Sequence, residues 1–306
     1  MSSAVVMTGY GPPEVLSWSP VTLPEPGPDQ IRIRVHAAGV GPTDLAIRAG
    51  HLAPVFPSPP GTILGFEAAG TVDAVGSAVS GTAVGDQVAA FLPGLGGYAE
   101  HALASFWTAK PAGVSWADAA ALPSSAEAAV RVLRELGVTR GETLLLLGGG
   151  GSVGLIATQL AVAQGVVVLS AVGDRDRELV TSLGATPVRY GAALLDDVHA
   201  RTPGVDAVFD AAGRGGLADA VKLAGGPARV ITLADPTAGD VGVRLSDADP
   251  AHATAALELA MARLAEGSLR LRGQRLIPLD QAAEAHRLLE TGTIHDRVIL
   301  TSALSE

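Results

Sequence analysis

The chain has 306 residues, of which 48% are hydrophobic and 17% are charged, a composition that excludes an intrinsically disordered protein. Its net charge of -10 and the lack of any run of lysine and arginine argue against a nucleic-acid partner. The absence of cysteine excludes disulfides, thiolate catalysis and cysteine-bound zinc. A chain of this length predicts two domains.

The first residues, MSSA, lack the basic start and the apolar core of a signal peptide. No uninterrupted apolar stretch reaches the length of a transmembrane helix. We therefore expect a cytoplasmic protein without a membrane partner.

The first part of the chain, to about residue 115, is predicted to be rich in β-structure. Segments 31–40 (IRIRVHAAGV) and 65–76 (GFEAAGTVDAVG) alternate apolar and polar side chains, as half-buried strands do. Prolines cluster in LPEPGP and PVFPSPPG, which predict loops.

Near Ser115 the pattern changes to alternating helices and strands. Ser115 is the expected N-cap of a helix over Trp116–Ala121, and Gly137 the expected C-cap of a helix ending at Leu136. Strand-like and helix-like segments then alternate at 143–147, 153–164, 166–172, 175–183, 188–190, 207–209, 217–223 and 229–233. This order predicts an α/β fold with a doubly wound parallel sheet. A helix over 251–266 and a strand, a helix and a strand over 274–300 follow.

Residues 143–154 (TLLLLGGGGSVG) join an apolar strand to a helix through four glycines. They fit G-x-G-x-x-G and also G-x-x-G-x-x-G. Glycine lets backbone N–H groups approach a pyrophosphate at the helix N-terminus, where the helix dipole assists binding. Glycine-rich turns also close ordinary loops, but here the strand before and the helix after supply the required context. The predicted pyrophosphate-binding residues are Gly148, Gly149, Gly151, Ser152, Val153 and Gly154.

The second strand of this unit ends near Val172 without the acid that holds the ribose 2'-hydroxyl of NAD. Arg175 and Arg177 follow and suit the 2'-phosphate of NADPH, which an acid at the strand end would repel. We therefore expect NADPH as the cofactor. Two alternatives stay open: Asp174 could bind the ribose and favour NADH, and the two arginines could simply form the solvated start of a helix.

In their order along the chain, these motifs resemble the medium-chain dehydrogenase/reductase superfamily, and within it the zinc-independent quinone oxidoreductase branch that includes zeta-crystallin and enoyl reductases. The similar segments cover nearly the entire length and include AAGVGPTDLAIRAGH, GGYAEHAL, the glycine motif, GVDAVFDAAG and LDQAAEAHRLLETG. The resemblance implies a GroES-like β-rich catalytic domain over residues 1–118 and 268–306 and a Rossmann NADPH-binding domain over 119–267. It also implies an active site in the cleft between them, and a homodimer.

The same resemblance implies hydride transfer from NADPH to a quinone or an α,β-unsaturated carbonyl. Alcohol dehydrogenase relatives bind zinc at the positions of Gly41 and Phe66, which cannot ligate a metal, so we expect none. Quinone reductase relatives often have an Asn at position 41 and a Thr at position 128, where this chain has Gly41 and Ala128. Their loss leaves carbonyl reduction, a cyclisation in natural-product biosynthesis, or a non-catalytic cofactor-binding role as alternatives.

Three residues are candidates for the catalytic groups: Asp44, His51 and Tyr98. Asp44 could instead anchor its loop, and Tyr98, within GGYAEH, could instead be a structural tyrosine. Other side chains that could donate a proton or a hydrogen bond are Ser124, Ser125 and Glu127. The pocket side chains are expected from loops over 51–60 and 91–97, and the latter (FLPGLGG) is poor in charge, which favours an apolar small-molecule substrate.

The resemblance also suggests further cofactor contacts. Tyr190 corresponds to a tyrosine beside the adenine, and Arg297 to a basic residue near NADPH. Four residues at strand ends correspond to segments whose backbone borders the nicotinamide: Ala212, Gly213, Leu233 and Ala234. Simple packing at the strand ends is the alternative role of these four.

Overall fold

The computed structural model of the chain describes residues 2–302. Within this range the chain forms two compact units. The first, here called the β-rich unit, contains residues 2–124, 253–268 and 273–302. The second, the parallel-sheet unit, contains residues 125–252 and 269–272.

Fifteen β-strands and nine α-helices lie within residues 2–302. The strands are β1 (Ser2–Met7), β2 (Leu16–Val21), β3 (Ile31–Val40), β4 (Glu67–Val75), β5 (Gln87–Phe91), β6 (His101–Ala104), β7 (Phe106–Ala109), β8 (Thr143–Leu147), β9 (Val167–Ala171), β10 (Thr186–Val188), β11 (Ala207–Asp210), β12 (Val230–Thr232), β13 (Arg244–Leu245), β14 (Gln274–Pro278) and β15 (Arg297–Thr301). The helices are α1 (Pro42–Arg48), α2 (Trp116–Ala121), α3 (Pro123–Leu136), α4 (Ser152–Ala163), α5 (Arg177–Ser182), α6 (Leu194–His199), α7 (Leu217–Leu223), α8 (Pro250–Ala265) and α9 (Ala282–Glu290). None of these helices is long and apolar enough to cross a bilayer.

The β-rich unit is built on a seven-stranded sheet in the order β14-β15-β3-β4-β5-β7, with β6 also paired to β3. Only the β14–β15 pair is parallel. The strand predicted over 31–40 is confirmed as β3, but its half-buried character is wrong, because nine of its ten residues are buried. Two of its polar side chains, Arg32 and His36, are buried, and the guanidinium of Arg32 donates to Asp73 and to the carbonyl of Pro24.

The parallel-sheet unit has six strands in the order β10-β9-β8-β11-β12-β13, all parallel. The α/β fold class is thereby confirmed. β8 lies in the interior of this sheet, and Leu144 to Leu147 have no exposed surface. The carboxyl ends of these strands share one edge of the sheet, where ligands bind in open α/β folds.

Two predicted segments of the parallel-sheet unit have different bounds in the structure, and α6 and β13 were not predicted. The third strand covers Thr186–Val188 rather than 188–190, so Tyr190 follows the strand instead of ending it. Pro187 made this segment a weak strand candidate, yet β10 is an edge strand, where a missing N–H is tolerated. The helix predicted over 175–183 is a 3₁₀ turn at Asp174–Asp176 followed by α5.

The predicted Rossmann domain, residues 119–267, includes all of helix α8. In the structure, the part of α8 from Ala253 onward belongs to the β-rich unit instead. Ala253 and Leu257 are buried against Phe91 and Phe106, which lie on β5 and β7. The helical pattern itself was predictable, whereas the sheet that it covers depends on contacts between distant residues.

Candidate functional site

The glycine loop connects β8 to α4, and its packing explains three of its glycines. Gly148 has φ +84, and a Cβ there would lie 2.9 Å from the Cβ of Ala212. A Cβ on Gly149 would overlap the side chain of Ser170 on β9, and one on Gly154 would lie 2.6 Å from the Cα of Gly149. The loop therefore packs so closely on its neighbours that these positions have no room for a side chain.

Gly151 is different, because nothing in the protein requires a glycine there. It is exposed and has ordinary extended angles, φ -75 and ψ 169, and the nearest atom to a Cβ would be the Gly148 oxygen at 3.4 Å. It caps α4, whose first-turn N–H groups at Ser152, Val153 and Gly154 have no partner within the helix. Bare backbone, open space and a helix N-terminus together fit the pyrophosphate of a dinucleotide.

The turn after β9 contains the residues predicted to select NADPH. Arg175 is exposed and Arg177 half-buried, and neither has an ion-pair partner in the described part of the chain. Asp174 is also exposed. Asp176, in contrast, lies against the glycine loop and pairs with Arg272, 3.1 Å away. The sequence analysis did not identify Arg272, because it lies far from Asp176 in the sequence and no local pattern connects the two residues.

Two buried carboxylates that the sequence analysis did not identify, Asp210 and Asp235, hold the segments predicted to border the nicotinamide. Asp210, at the end of β11, accepts hydrogen bonds from the N–H groups of Ala212 (3.0 Å) and Gly213 (3.1 Å) and from the Thr232 hydroxyl (2.8 Å). Burial raises the pKa of Asp210, which these hydrogen bonds partly offset. Acids that end apolar strands in a sheet interior were the available signal.

The two predicted nicotinamide segments touch each other. A Cβ on Gly213 would lie 2.8 Å from the Cβ of Ala234, and Leu233 donates its N–H to the carbonyl of Asp210. Asp235, the next residue, accepts from the N–H of Gly215 at 3.0 Å. Packing at the strand ends is therefore present, and contact with a nicotinamide stays a prediction for these residues.

Tyr190 lies just after β10 with about a third of its surface exposed (36%). Its phenol is close enough to Asp210 and Arg214 for both charges to affect its pKa, which burial raises. These neighbours place Tyr190 toward the carboxyl ends of the sheet, the edge on which an adenine contact was predicted.

In the β-rich unit, Asp44 anchors a loop. Its carboxylate accepts the N–H of Gly41 at 2.8 Å and that of Gly65 at 3.0 Å, and the side chain is buried. Burial raises the pKa of Asp44 to about 6, although the two backbone hydrogen bonds oppose that shift. Asp44 therefore joins the start of α1 to the turn before β4, as its structural alternative requires.

Tyr98 and His51 occupy very different environments. Tyr98 has no exposed surface, its hydroxyl lies 3.2 Å from Nε2 of His286, and burial raises its pKa well above the ordinary value. A side chain inside the core cannot touch a substrate, which favours the structural role over the catalytic one. Gly65 joins Tyr98 to Asp44, since a Cβ there would lie 2.7 Å from the tyrosine ring. His51 is exposed in the turn after α1.

Glu67 is the second buried carboxylate described in the β-rich unit, after Asp44. It binds two residues that the sequence analysis named as candidates, Ser124 and Arg297. It accepts the N–H and the hydroxyl of Ser124, both at 2.8 Å, and forms an ion pair with Arg297. Arg297 also donates to the carbonyl of Val40 at 2.8 Å, and its side chain is 9% exposed. Its charge thus serves this unit's own carboxylate, a role that differs from the predicted contact with NADPH.

Other candidate donors are engaged within their own units. Glu127 pairs with Arg131 at 2.7 Å and accepts the N–H of Asp249 at 3.1 Å. No group of three or more His, Asp or Glu side chains within residues 2–302 is arranged to hold a metal ion. At the position of a zinc-binding histidine, Phe66 contacts Phe56 edge to face, with ring centroids 5.7 Å apart.

Comparison with known proteins agrees with this architecture. Residues 27–113 match the alcohol dehydrogenase GroES-like domain, and residues 183–300 match the zinc-binding dehydrogenase domain. The quinone oxidoreductase of Mus musculus is 31% identical over 310 residues, which cover 92% of each chain. The 2-methylene-furan-3-one reductase of Solanum lycopersicum is 34% identical over 241 residues, 74% of this chain and 61% of that protein.

Among solved structures, the quinone oxidoreductase from Coxiella burnetii has a TM-score of 0.83 and 28% identity, covering 98% of this chain and 99% of that chain. The fold and these relatives define an oxidoreductase that combines a GroES-like unit with a Rossmann-like unit. The chain belongs to the medium-chain dehydrogenase/reductase superfamily, in its quinone oxidoreductase branch. This family uses nicotinamide cofactors.

Gly151→Ala tests the open space at the glycine loop. We expect this variant to fold with an unchanged melting temperature, because alanine tolerates φ -75, but to lose most of its affinity for a nicotinamide dinucleotide. Gly154→Ala is the matched control and should lower the melting temperature, since its Cβ meets the loop backbone. Differential scanning fluorimetry and calorimetric titration measure both properties. Full affinity in Gly151→Ala would contradict the assignment.

The raised pKa of Asp44 predicts that the free energy of unfolding depends on pH. Its pKa is 3.8 in the unfolded chain and about 6 in the folded one, so its contribution is fully present below about pH 4 and is lost as pH rises through about 6. The loss amounts to about 3 kcal/mol. Urea unfolding of the wild type and Asp44→Asn should show a stability difference that changes across this range and is flat above it. Asp280→Asn, at an exposed position, controls for the change of residue type.

Proposed function

We propose that the protein transfers hydride from NADPH to a quinone or an α,β-unsaturated carbonyl without a metal ion. The observation that carries this proposal is the open space at Gly151 beside the N-terminus of α4, in a chain that has Gly41 and Phe66 where alcohol dehydrogenase relatives bind zinc. The quinone oxidoreductase relatives support the reaction class. The absence of an acid at the end of β9 and the exposed Arg175 support NADPH over NADH.

The parallel-sheet unit would hold the cofactor. The first-turn N–H groups of Ser152 and Val153 would bind the pyrophosphate, for which Gly151 leaves room, and Arg175 and Arg177 would approach the 2'-phosphate. The nicotinamide, when bound, supplies the hydride. The buried carboxylate of Asp210 keeps the backbone after β11 in place, so that this strand end is preorganised.

A reduced quinone or enone must also gain a proton. The environments of the three candidate side chains differ in how well they suit a proton donor. Asp44 is buried and both its oxygens accept backbone N–H groups. Tyr98 is enclosed in the core. His51 is exposed, in a loop that the family resemblance places beside the substrate. We assign the proton to His51 or to water that reaches the same place.

An aromatic pair on the β-rich unit supports an apolar, planar substrate. Phe56 and Phe66 are both half-buried and present ring surface where metal-dependent relatives have a ligand. Two hydrogen bonds fix the loop that contains Phe56. The Tyr10 hydroxyl accepts the N–H of Ser58 at 2.7 Å, and the Ser58 hydroxyl donates to the carbonyl of Phe56 at 3.2 Å. The homodimer and the cytoplasmic location remain predictions.

The assay for this proposal follows reduced nicotinamide by absorbance while a panel of quinones and conjugated enones is offered in the presence of a chelator. We expect NADPH to be consumed with one equivalent of substrate reduced, at a rate that the chelator does not change. Mass spectrometry of the product separates the alternatives. Product without NADPH consumption would instead indicate a cyclisation, and binding without turnover would indicate a non-catalytic protein.

Phe56→Ala tests the aromatic pair. We expect KM for a planar quinone to rise roughly fivefold, the loss of an aromatic contact, while the Kd of NADPH is unchanged. Val55→Ala is the matched control, because Val55 lies in the same loop but is 78% exposed. Steady-state kinetics and a nucleotide titration measure the two constants. An equal KM in both variants would rule out a contact between the aromatic pair and the substrate.

A further inference from the structure

A short segment, Leu269–Arg272, belongs to the parallel-sheet unit although the residues on both sides of it belong to the β-rich unit. The Gln159 side chain on α4 fixes it: its amide accepts the N–H of Arg270 at 2.8 Å and donates to the Arg270 carbonyl at 2.9 Å. Leu269 is buried. The segment is therefore held along α4, the helix that begins at the glycine loop.

From this segment Arg272 reaches both parts of the predicted dinucleotide site. Its guanidinium donates to the carbonyl of Gly150 in the glycine loop and lies 3.1 Å from the carboxylate of Asp176 in the turn after β9. The loop and the turn also touch directly, since a Cβ on Gly150 would lie 2.7 Å from the carboxyl carbon of Asp176. The Arg272 side chain is 14% exposed.

The negative charge of Asp176 bears on cofactor choice, because this residue lies in the turn predicted to bind the adenosine end of the cofactor. An acid in this region accepts the ribose hydroxyls of NADH and repels the 2'-phosphate of NADPH. The ion pair with Arg272 occupies one carboxylate oxygen and cancels its charge. Together with Arg272, the turn over 173–177 contains two carboxylates and three guanidinium groups, a net single positive charge that it would lack without Arg272.

We propose that Arg272 sets the preference for NADPH over NADH by neutralising Asp176, which makes it a positioning residue for the adenosine end of the cofactor. This inference rests on the proposed function. It identifies a specificity determinant about 95 residues beyond the turn in which cofactor choice is normally sought.

The test compares the Kd values of NADPH and NADH by calorimetry in four proteins: wild type, Arg272→Gln, Asp176→Asn and the double variant. We expect Arg272→Gln to lower the ratio of NADPH to NADH affinity roughly tenfold, the effect of one uncompensated charge near a phosphate. Asp176→Asn should keep the preference. The double variant should restore it, because the carboxylate that opposes the 2'-phosphate is gone.

Controls separate this effect from a loss of structure. Arg270→Gln changes the neighbouring arginine, whose guanidinium is only 3.4 Å from the Ser182 hydroxyl, and should leave the ratio unchanged. Arg272→Lys retains the charge and should retain most of the preference. If Arg272→Gln fails to fold, Arg272→Lys and Asp176→Asn still report the ratio.

Each outcome has a definite meaning. An unchanged ratio in Arg272→Gln, or a double variant that remains as low as the single one, overturns the inference but leaves the proposed function to be decided by NADPH consumption with quinones and enones. Wild-type protein that binds neither nucleotide overturns both.

Discussion

The parallel-sheet unit depends on a close approach of backbone to backbone where β8 ends. Gly148 packs on Ala212 after β11, Gly149 on Ser170 of β9, and Gly154 on the loop itself. These contacts bring the start of α4 to the carboxyl edge of the sheet, so that unpaired N–H groups and the positive end of the helix dipole face outward. A single added methyl group at any of these positions would separate the layers that create the site.

The β-rich unit uses two buried carboxylates to hold neighbouring segments together. Asp44 binds two backbone N–H groups, and Glu67 binds Ser124 and Arg297. Buried charge is costly unless it is paired and hydrogen-bonded, and here each carboxylate has at least two partners. The same hydrogen bonds tie both carboxylates to groups of their own unit, so that each of them has a structural role.

The sequence predicted what local patterns determine. β8 and α7 begin and end at the predicted residues, and the glycine motif lies where its strand and helix required. What it could not predict were contacts between distant residues: Arg272 bonds to Gly150 across 122 positions, and Arg297 to Glu67 across 230. Arginines at such positions resemble any surface arginine until the fold brings a carboxylate to them.

The glycine motif itself divides into two roles, and this division bears on cofactor choice. Gly148, Gly149 and Gly154 pack closely on their neighbours, whereas a Cβ on Gly151 would have room. We propose that backbone N–H groups at that opening bind a pyrophosphate, which NADH and NADPH share. Under this proposal, discrimination between the two cofactors must come from side chains outside the motif. We place those side chains in the turn after β9, where the charge balance depends on an arginine contributed from far along the chain.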